Sequence, residues 1–431
     1  MEKIKIIINK LGAIKKSEIE MTPMMIFSGE SGLGKSYLAM LCHYVYDVML
    51  SRTRIDRFIK EEKKWSFSKM RKSFKNIGTA VQINKKEFES WLSKDAIQYL
   101  SYMLNNDSLE GDIKIILPEN ISSVINITYE EEYIGIVESE EVYIKLHALG
   151  LTYRVKEETF LDESPFAFLF RFGLIHSIMG KYKAFNEAFV FPPSRGPMLT
   201  EEIKPKTGLY EKFKNGLTIL NRVSPHPETV SKNLNLLLRE VLDGSVRNEE
   251  GQYIYSTHNE EIPISAAAAS VREIAPIAML IERVDIAKTA LLIEEPEAHL
   301  HPLKQRMMAD IISLMNSGNA CMQITTHSDY FLRRINELIN LKKLHECFSS
   351  KQNGETKFLE ICKDLKINRD LEFNYHRVSA YLLKRNADGS SSIERQNIEN
   401  GVPFSSFSEA IDDSLQYSYK LNEYIEEYEC N

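Results

Sequence analysis

The stretch Gly29-Glu30-Ser31-Gly32-Leu33-Gly34-Lys35-Ser36 constrains this chain more than any other. Two glycines with four residues between them, followed by Lys and Ser, make a phosphate-cradling loop. The glycines let backbone N–H groups turn inward around phosphate oxygens, in conformations that a Cβ hinders. Lys35 then reaches the β- and γ-phosphates as a point charge, and the Ser36 hydroxyl ligates Mg2+. The flanks agree with this reading. Met24–Phe27 is a β-rich run into the loop, and Leu38, Leu41, Val45, Val48 and Met49 give Tyr37–Leu50 helical spacing behind it. Such a chain binds a nucleoside triphosphate.

The length of 431 residues predicts two or three domains and ample chain for a large core. A net charge of −7 gives no global nucleic-acid footprint, although it leaves room for a local basic patch. The five cysteines are odd in number and widely spaced with no C-x-x-C pair, so neither a disulfide framework nor a zinc ribbon is indicated. The apolar run at the N-terminus is too short for a signal peptide. The stretch Pro165–Met179 is broken by Arg171 and His176 and falls short of a membrane-spanning length. A cytoplasmic protein without membrane contacts is expected.

Taken in order, Lys3–Ile8 and Lys16–Met21 read as strands around a turn at Asn9–Gly12. Between Arg52 and Asn76 stand ten Lys/Arg against Asp56, Glu61 and Glu62, with Trp65, Phe67 and Phe74 interleaved. This run fits a nucleic-acid or acidic-partner patch. A solvated amphipathic helix is the plainer reading and is preferred, because charge runs are usually solvated faces. Residues 77–108 read as helical on Phe88, Trp91, Leu92, Ile97, Leu100 and Met103. From Ile113 to Glu157 short β segments suggest a meander.

These readings divide the chain as follows: the first part of an ATPase head over 1–51, an inserted α+β subdomain over 52–160, and a return to the head over 161–206. A helical arm over 207–243, a second part of the head over 244–345 and a C-terminal α/β cap over 346–431 complete it. Within the return segment, Phe189–Pro197 reads as a strand ending in a rigid turn that presents Arg195; an Arg in such a turn is most often at the surface.

Thr289–Glu297 is the second sharp signal. A short apolar run bounded by charge fits a strand buried on both faces of a parallel sheet, and ligands collect at the C-terminal ends of such strands. Strand alternation sends Glu294 and Glu295 to opposite sides. Glu294 then orients the Mg2+ shell and Glu295 polarises the attacking water as general base. About thirty residues further on, one strand–helix–strand unit away, Cys321–Ile324 ends in Thr325-Thr326-His327-Ser328. A neighbouring strand would let His327 donate to the γ-phosphate.

The order of loop, Ile293–Pro302 and Thr325–Ser328 resembles ABC-type ATPase heads, and within these the OLD-like ATPases of bacterial anti-phage defence modules. Pro192-Pro193-Ser194-Arg195 resembles that group's Pro-x-x-Arg turn, Ile264–Pro276 its signature segment, and Glu399–Pro403 with a helix over 405–428 its C-terminus. The resemblance implies an α/β fold, an ABC-type P-loop ATPase head with a mixed central sheet and flanking helices. It implies ATP and Mg2+ as cofactors and heads paired head-to-tail, each signature helix closing on the other subunit's γ-phosphate. Ser270 is the residue that would make this contact in trans. The segment departs from the usual pattern, because Ala268, Ala269 and Ser270 stand where Ser-Ser-Gly or Ser-Gly-Gly is common. Weakened contacts in trans, and hence slow hydrolysis or unusual assembly, are the expected consequence.

Two functions follow from the resemblance. One is a sensor or scaffold ATPase that controls a separately encoded effector, a Toprim or HNH nuclease or a toxin-like protein, in response to a DNA or phage-protein trigger. Residues 330–431 hold no Asp-x-Asp of the kind a Toprim nuclease uses, so the effector would act in trans. The other is a RecF- or SMC-like repair ATPase that clamps DNA through the 52–76 basic run, with Lys69, Arg71, Lys72 and Lys75 as contacts. A long SMC is excluded by the lack of a sustained heptad array.

Overall fold

The strand that leads into the loop and the strands that lead to Glu294 and to His327 are buried at every position. The computed structural model describes residues 3–62, 77–134, 141–156, 164–180, 187–225, 232–249, 251–403 and 405–427. The first strands in chain order are β1 (Lys5–Leu11), β2 (Ile14–Glu20), β3 (Met24–Gly29), β4 (Ile77–Asn84), β5 (Gly111–Ile116), β6 (Val124–Ile134), β7 (Glu141–Ala148) and β8 (Leu151–Lys156). They are followed by β9 (Glu187–Phe191), β10 (Ser245–Glu249), β11 (Gln252–Ser256), β12 (Glu261–Pro263), β13 (Thr289–Glu294), β14 (Cys321–Thr325), β15 (Val378–Arg385) and β16 (Ser391–Gln396). The first helices are α1 (Lys35–Leu50), α2 (Arg52–Arg57), α3 (Lys85–Leu104), α4 (Ser164–Met179), α5 (Pro197–Thr200) and α6 (Gly208–Arg222). Then come α7 (Lys232–Leu242), α8 (Ala269–Arg283), α9 (Pro302–Ser317), α10 (Asp329–Ser349), α11 (Gly354–Asp364) and α12 (Ser405–Glu427).

A nine-stranded sheet runs β5-β1-β2-β16-β15-β3-β14-β13-β9. Five neighbouring strands, β15 to β9 in that order, are parallel, whereas β5, β1 and β2 pair antiparallel. This is the mixed α/β sheet expected. Residues of the parallel strands alternate between two cores, as the period of two requires. Met25, Phe27, Ala290 and Leu292 face one core with α1, α3 and α4; Met24, Ile26, Leu291 and Ile293 face the other with α6 to α10. Strands covered on both faces are why β3, β13 and β14 are buried at every position.

Several sequence expectations change. Residues 77–84 are strand β4 rather than the start of a helix, because the Asn84 side chain caps α3 by accepting the Lys86 N–H at 2.9 Å. Segment 52–160 is not set apart from the head: β5 pairs with β1 in the main sheet, and its apolar residues share one core with α1. Only β4, β6, β7 and β8 form a separate sheet. The outer edge of β5 is covered by α3, where Ser93 Oγ and Glu89 Oε1 accept the N–H groups of Ile115 and Leu117 at 3.0 and 2.8 Å.

Residues 346–431 are likewise more than a cap, because β15 and β16 stand in the middle of the sheet. Helices α6 and α7, expected as an arm, bury Phe213, Leu217, Leu234 and Leu238 against the sheet-side core. In the basic run, Arg54 and Arg57 are held by Asp95, whose side chain is 1% exposed. Lys69, Arg71, Lys72, Lys75, Trp65, Phe67 and Phe74 lie outside the described residues.

Candidate functional site

The loop residues Gly29–Ser36 join β3 to α1. Gly29 has φ 125°, and a Cβ there would stand 2.5 Å from the Leu383 carbonyl oxygen. Its bareness is thus dictated by the neighbouring β15, which pairs Leu383 with it. Gly32 has φ 77° in open space, and Gly34 caps α1 at φ 101° with no side-chain partner for the first N–H groups. A helix N-terminus left open in this way is an anion site.

Lys35 is buried and folded onto its own loop, where its Nζ donates to the carbonyls of Gly29 at 2.9 Å and Glu30 at 2.7 Å. Burial lowers its pKa to about 8, against the opposing pull of Glu295, Glu297, Glu294 and Glu30. The Ser36 hydroxyl donates to Glu294 Oε2. Burial, opposed by that bond and helped by the Glu295 charge, lifts the Glu294 carboxyl to about 7. Its second oxygen, Oε1, is buried with no hydrogen-bond partner. A buried carboxylate oxygen without a partner is costly unless a cation meets it. Ser36 and Glu294 therefore fit a hard divalent cation such as Mg2+.

Glu295 does not go to the opposite side of the sheet. The strand ends at Glu294, and Glu295 takes φ 46°, which turns its side chain into the cavity beside the loop. The Glu295 N–H is gripped by the Thr325 carbonyl at 3.0 Å. His327 follows β14, which pairs with β13 as expected, and its Nε2 lies 3.8 Å from Glu295 Oε1. Burial and the nearby Lys35 charge hold His327 below its usual pKa, so the neutral imidazole is favoured. A cavity of about 400 Å³ is lined by Ser31, Lys35, Ser36, Glu295, Thr325 and His327, and by the β1–β2 turn.

Two contributors escaped the sequence. Glu297 is buried and accepts the Thr326 hydroxyl at 2.6 Å and the His327 N–H at 2.9 Å, which fixes the histidine's backbone. Its place in Glu-Glu-Pro-Glu gave the one available hint. Arg195, expected at the surface, is fully buried. Its guanidinium donates from Nε to the Glu273 carbonyl at 2.9 Å, and from the two terminal nitrogens to Glu294 and Glu295 carbonyls at 3.1 and 3.3 Å. The turn brings it inward because Pro192 and Pro193 stiffen the exit from β9, the strand beside β13.

Ser270 is not among the residues that line the cavity. It sits in the first turn of α8, behind exposed Ala268 and Ala269, on a helix whose N-terminus has no side-chain cap.

Residues 197–332 match the family model for an AAA ATPase domain. The matched stretch contains α8, β13, Glu294, Glu295 and His327, and stops short of the phosphate loop. No curated protein matches the chain. Among solved structures, the Smc head bound to the C-winged helix domain of ScpA is similar at 13% identity and TM-score 0.36, covering 92% of this chain and 98% of that one. The SMC head domain from Thermotoga maritima gives 10% and 0.34, with 92% and 100% covered. The Pyrococcus furiosus Smc head domain with an extended coiled coil, bound to the C-terminal domain of ScpA, gives 12% and 0.35, with 96% and 99% covered. Superpositions this loose say nothing about chemistry, and the site's own geometry has to carry that.

Proposed function

We propose that the chain hydrolyses ATP at this cavity, with Glu295 as general base and His327 as γ-phosphate donor. The supporting observation is the convergence of four side chains on one cavity: Lys35 and Ser36 from the loop, Glu295 at the end of β13, and His327 at the end of β14. Bound phosphates would take Lys35 Nζ from the Gly29 and Glu30 carbonyls and accept the open N–H groups of α1. Glu295 would take the proton of an attacking water, and His327 would donate to phosphate oxygen. Mg2+, held by Ser36 and Glu294, would supply the charge that offsets what develops on the phosphates.

The wider role proposed is a nucleotide-gated assembly: heads paired head-to-tail, Ser270 closing on a second chain's nucleotide, and a separately encoded effector controlled in anti-phage defence. What supports it is the resemblance to OLD-like ATPases such as that of the PARIS system, together with a signature helix whose N-terminus is exposed. The DNA-clamp reading loses Arg54 and Arg57 to Asp95, so part of its basic run has another task.

The experiment is a pair of variants assayed for nucleotide binding and phosphate release. Lys35→Ala should bind no ATP, while Glu295→Gln should bind ATP and fail to turn it over. Unchanged turnover in Glu295→Gln removes Glu295 as the base.

A further inference from the structure

We infer that Arg195 is a positioning residue that locks the first turns of α8 to the carboxylate end of β13, so that the two move as one piece. The inference rests on the ATPase reading above and adds to it how the catalytic geometry is held.

The bonds of Arg195 join three elements. From the turn after β9 its side chain reaches the Glu273 carbonyl of α8 and the carbonyls of Glu294 and Glu295. Glu273 answers: its Oε2 accepts the Arg195 N–H at 2.6 Å and its Oε1 accepts the Gly196 N–H at 3.0 Å. The Arg195 side chain is 0% exposed and that of Glu273 6%, with Nε and Oε2 3.4 Å apart. The guanidinium's rigid fork matches three carbonyls at once in a way that a flexible ammonium does not. Gly196 is part of the same lock, since a Cβ there would lie 3.1 Å from Glu273 Oε1.

Glu295 is the residue with most to lose from a broken lock. Its φ of 46° is a left-handed conformation, which a glutamate keeps only when the surroundings over-determine it. The Thr325 carbonyl takes its N–H and Arg195 takes its C=O. Without Arg195 one side of this grip is gone, and the backbone is free to relax toward ordinary dihedrals. The carboxylate would then leave the cavity it shares with His327. The loop groups are not bonded to Arg195, and Glu294 meets it only through its backbone carbonyl, so its carboxylate keeps its bond to Ser36. The lock also runs outward. Glu273 lies one turn beyond Ser270, so a partner pressing on the exposed end of α8 would act on Glu295 through Arg195.

The test uses the full chain with Arg195→Lys, Arg195→Met, and the double variant Arg195→Met with Glu273→Gln, which leaves no buried carboxylate unpaired if the single change fails to fold. ATP affinity, moles of ATP bound per chain and kcat are measured for each. The expected result is ATP bound at wild-type stoichiometry, with affinity within about twofold and kcat down at least roughly tenfold, as a misplacement near 1 Å implies. Arg195→Lys should recover part of kcat. The double variant turning over within about twofold of wild type overturns the inference, and so does a fall in kcat that only tracks a fall in binding stoichiometry. Lys35→Ala and Glu295→Gln, run alongside, separate the readings: if either keeps wild-type turnover, the ATPase reading itself has failed.

Discussion

The two ends of the proposed composite site are built in opposite ways. At the strand ends every important group is already held: Lys35 by loop carbonyls, Glu294 by Ser36, His327 through Glu297, and Glu295 by Thr325 and Arg195. The N-terminus of α8 is bare by contrast, with Ala268 as its cap residue and no side chain on its first N–H groups. At the held end the backbone that carries Glu295 and His327 is fixed by these bonds. The bare end has donors to offer and little to fix them, which suits a surface completed by something else.

The comparison can be broken at either end. The largest effect is expected from Lys35→Ala, which should abolish ATP binding measured by equilibrium dialysis; retained affinity would mean that the loop N–H groups alone hold the phosphates. Next is Glu295→Gln, where kcat should fall by about 10²–10⁴ with binding intact.

A third test probes the buried region behind the loop. His43 on α1 lies against Gln323 at 3.2 Å, near Asp47 and Lys212, and burial lowers its pKa to about 4 from 6.5. A base whose folded pKa is depressed takes up protons more readily when unfolded. Stability should therefore decline as pH falls from about 6.5 toward 4, by at most about 3 kcal/mol. Denaturant titrations across that range should show the slope, and His43→Leu should flatten it.

The smallest effect lies at the bare end. Ala268→Ser gives α8 a side-chain cap and should raise stability by about 1 kcal/mol in thermal or denaturant melts. If a second chain's nucleotide closes on this N-terminus, the same change restores one serine of the usual segment and should raise turnover while it stabilises the fold. Unchanged turnover would argue against a contact there.

Among the described residues no helix is long and apolar enough to cross a membrane. Local pattern alone located the loop, the strand pair β13–β14 and the helix behind the loop, because each is a contiguous run whose neighbours in sequence decide it. Residues 77–84 differ from the helix expected because alternation over eight residues competes with the helical spacing that follows, and only the Asn84 cap bond sets the boundary.

The remaining decisions needed long-range contacts. That Gly29 must be glycine on account of Leu383, that Glu295 turns back into the cavity, and that Arg195 is interior all depend on partners far along the chain. Sequence determined where the glycine-rich loop, the acidic strand and the histidine lie, since each is written in a short motif. Tertiary structure alone decided how they are held together. A carbonyl that accepts a buried guanidinium leaves no mark on the side chains, and only the folded backbone places it.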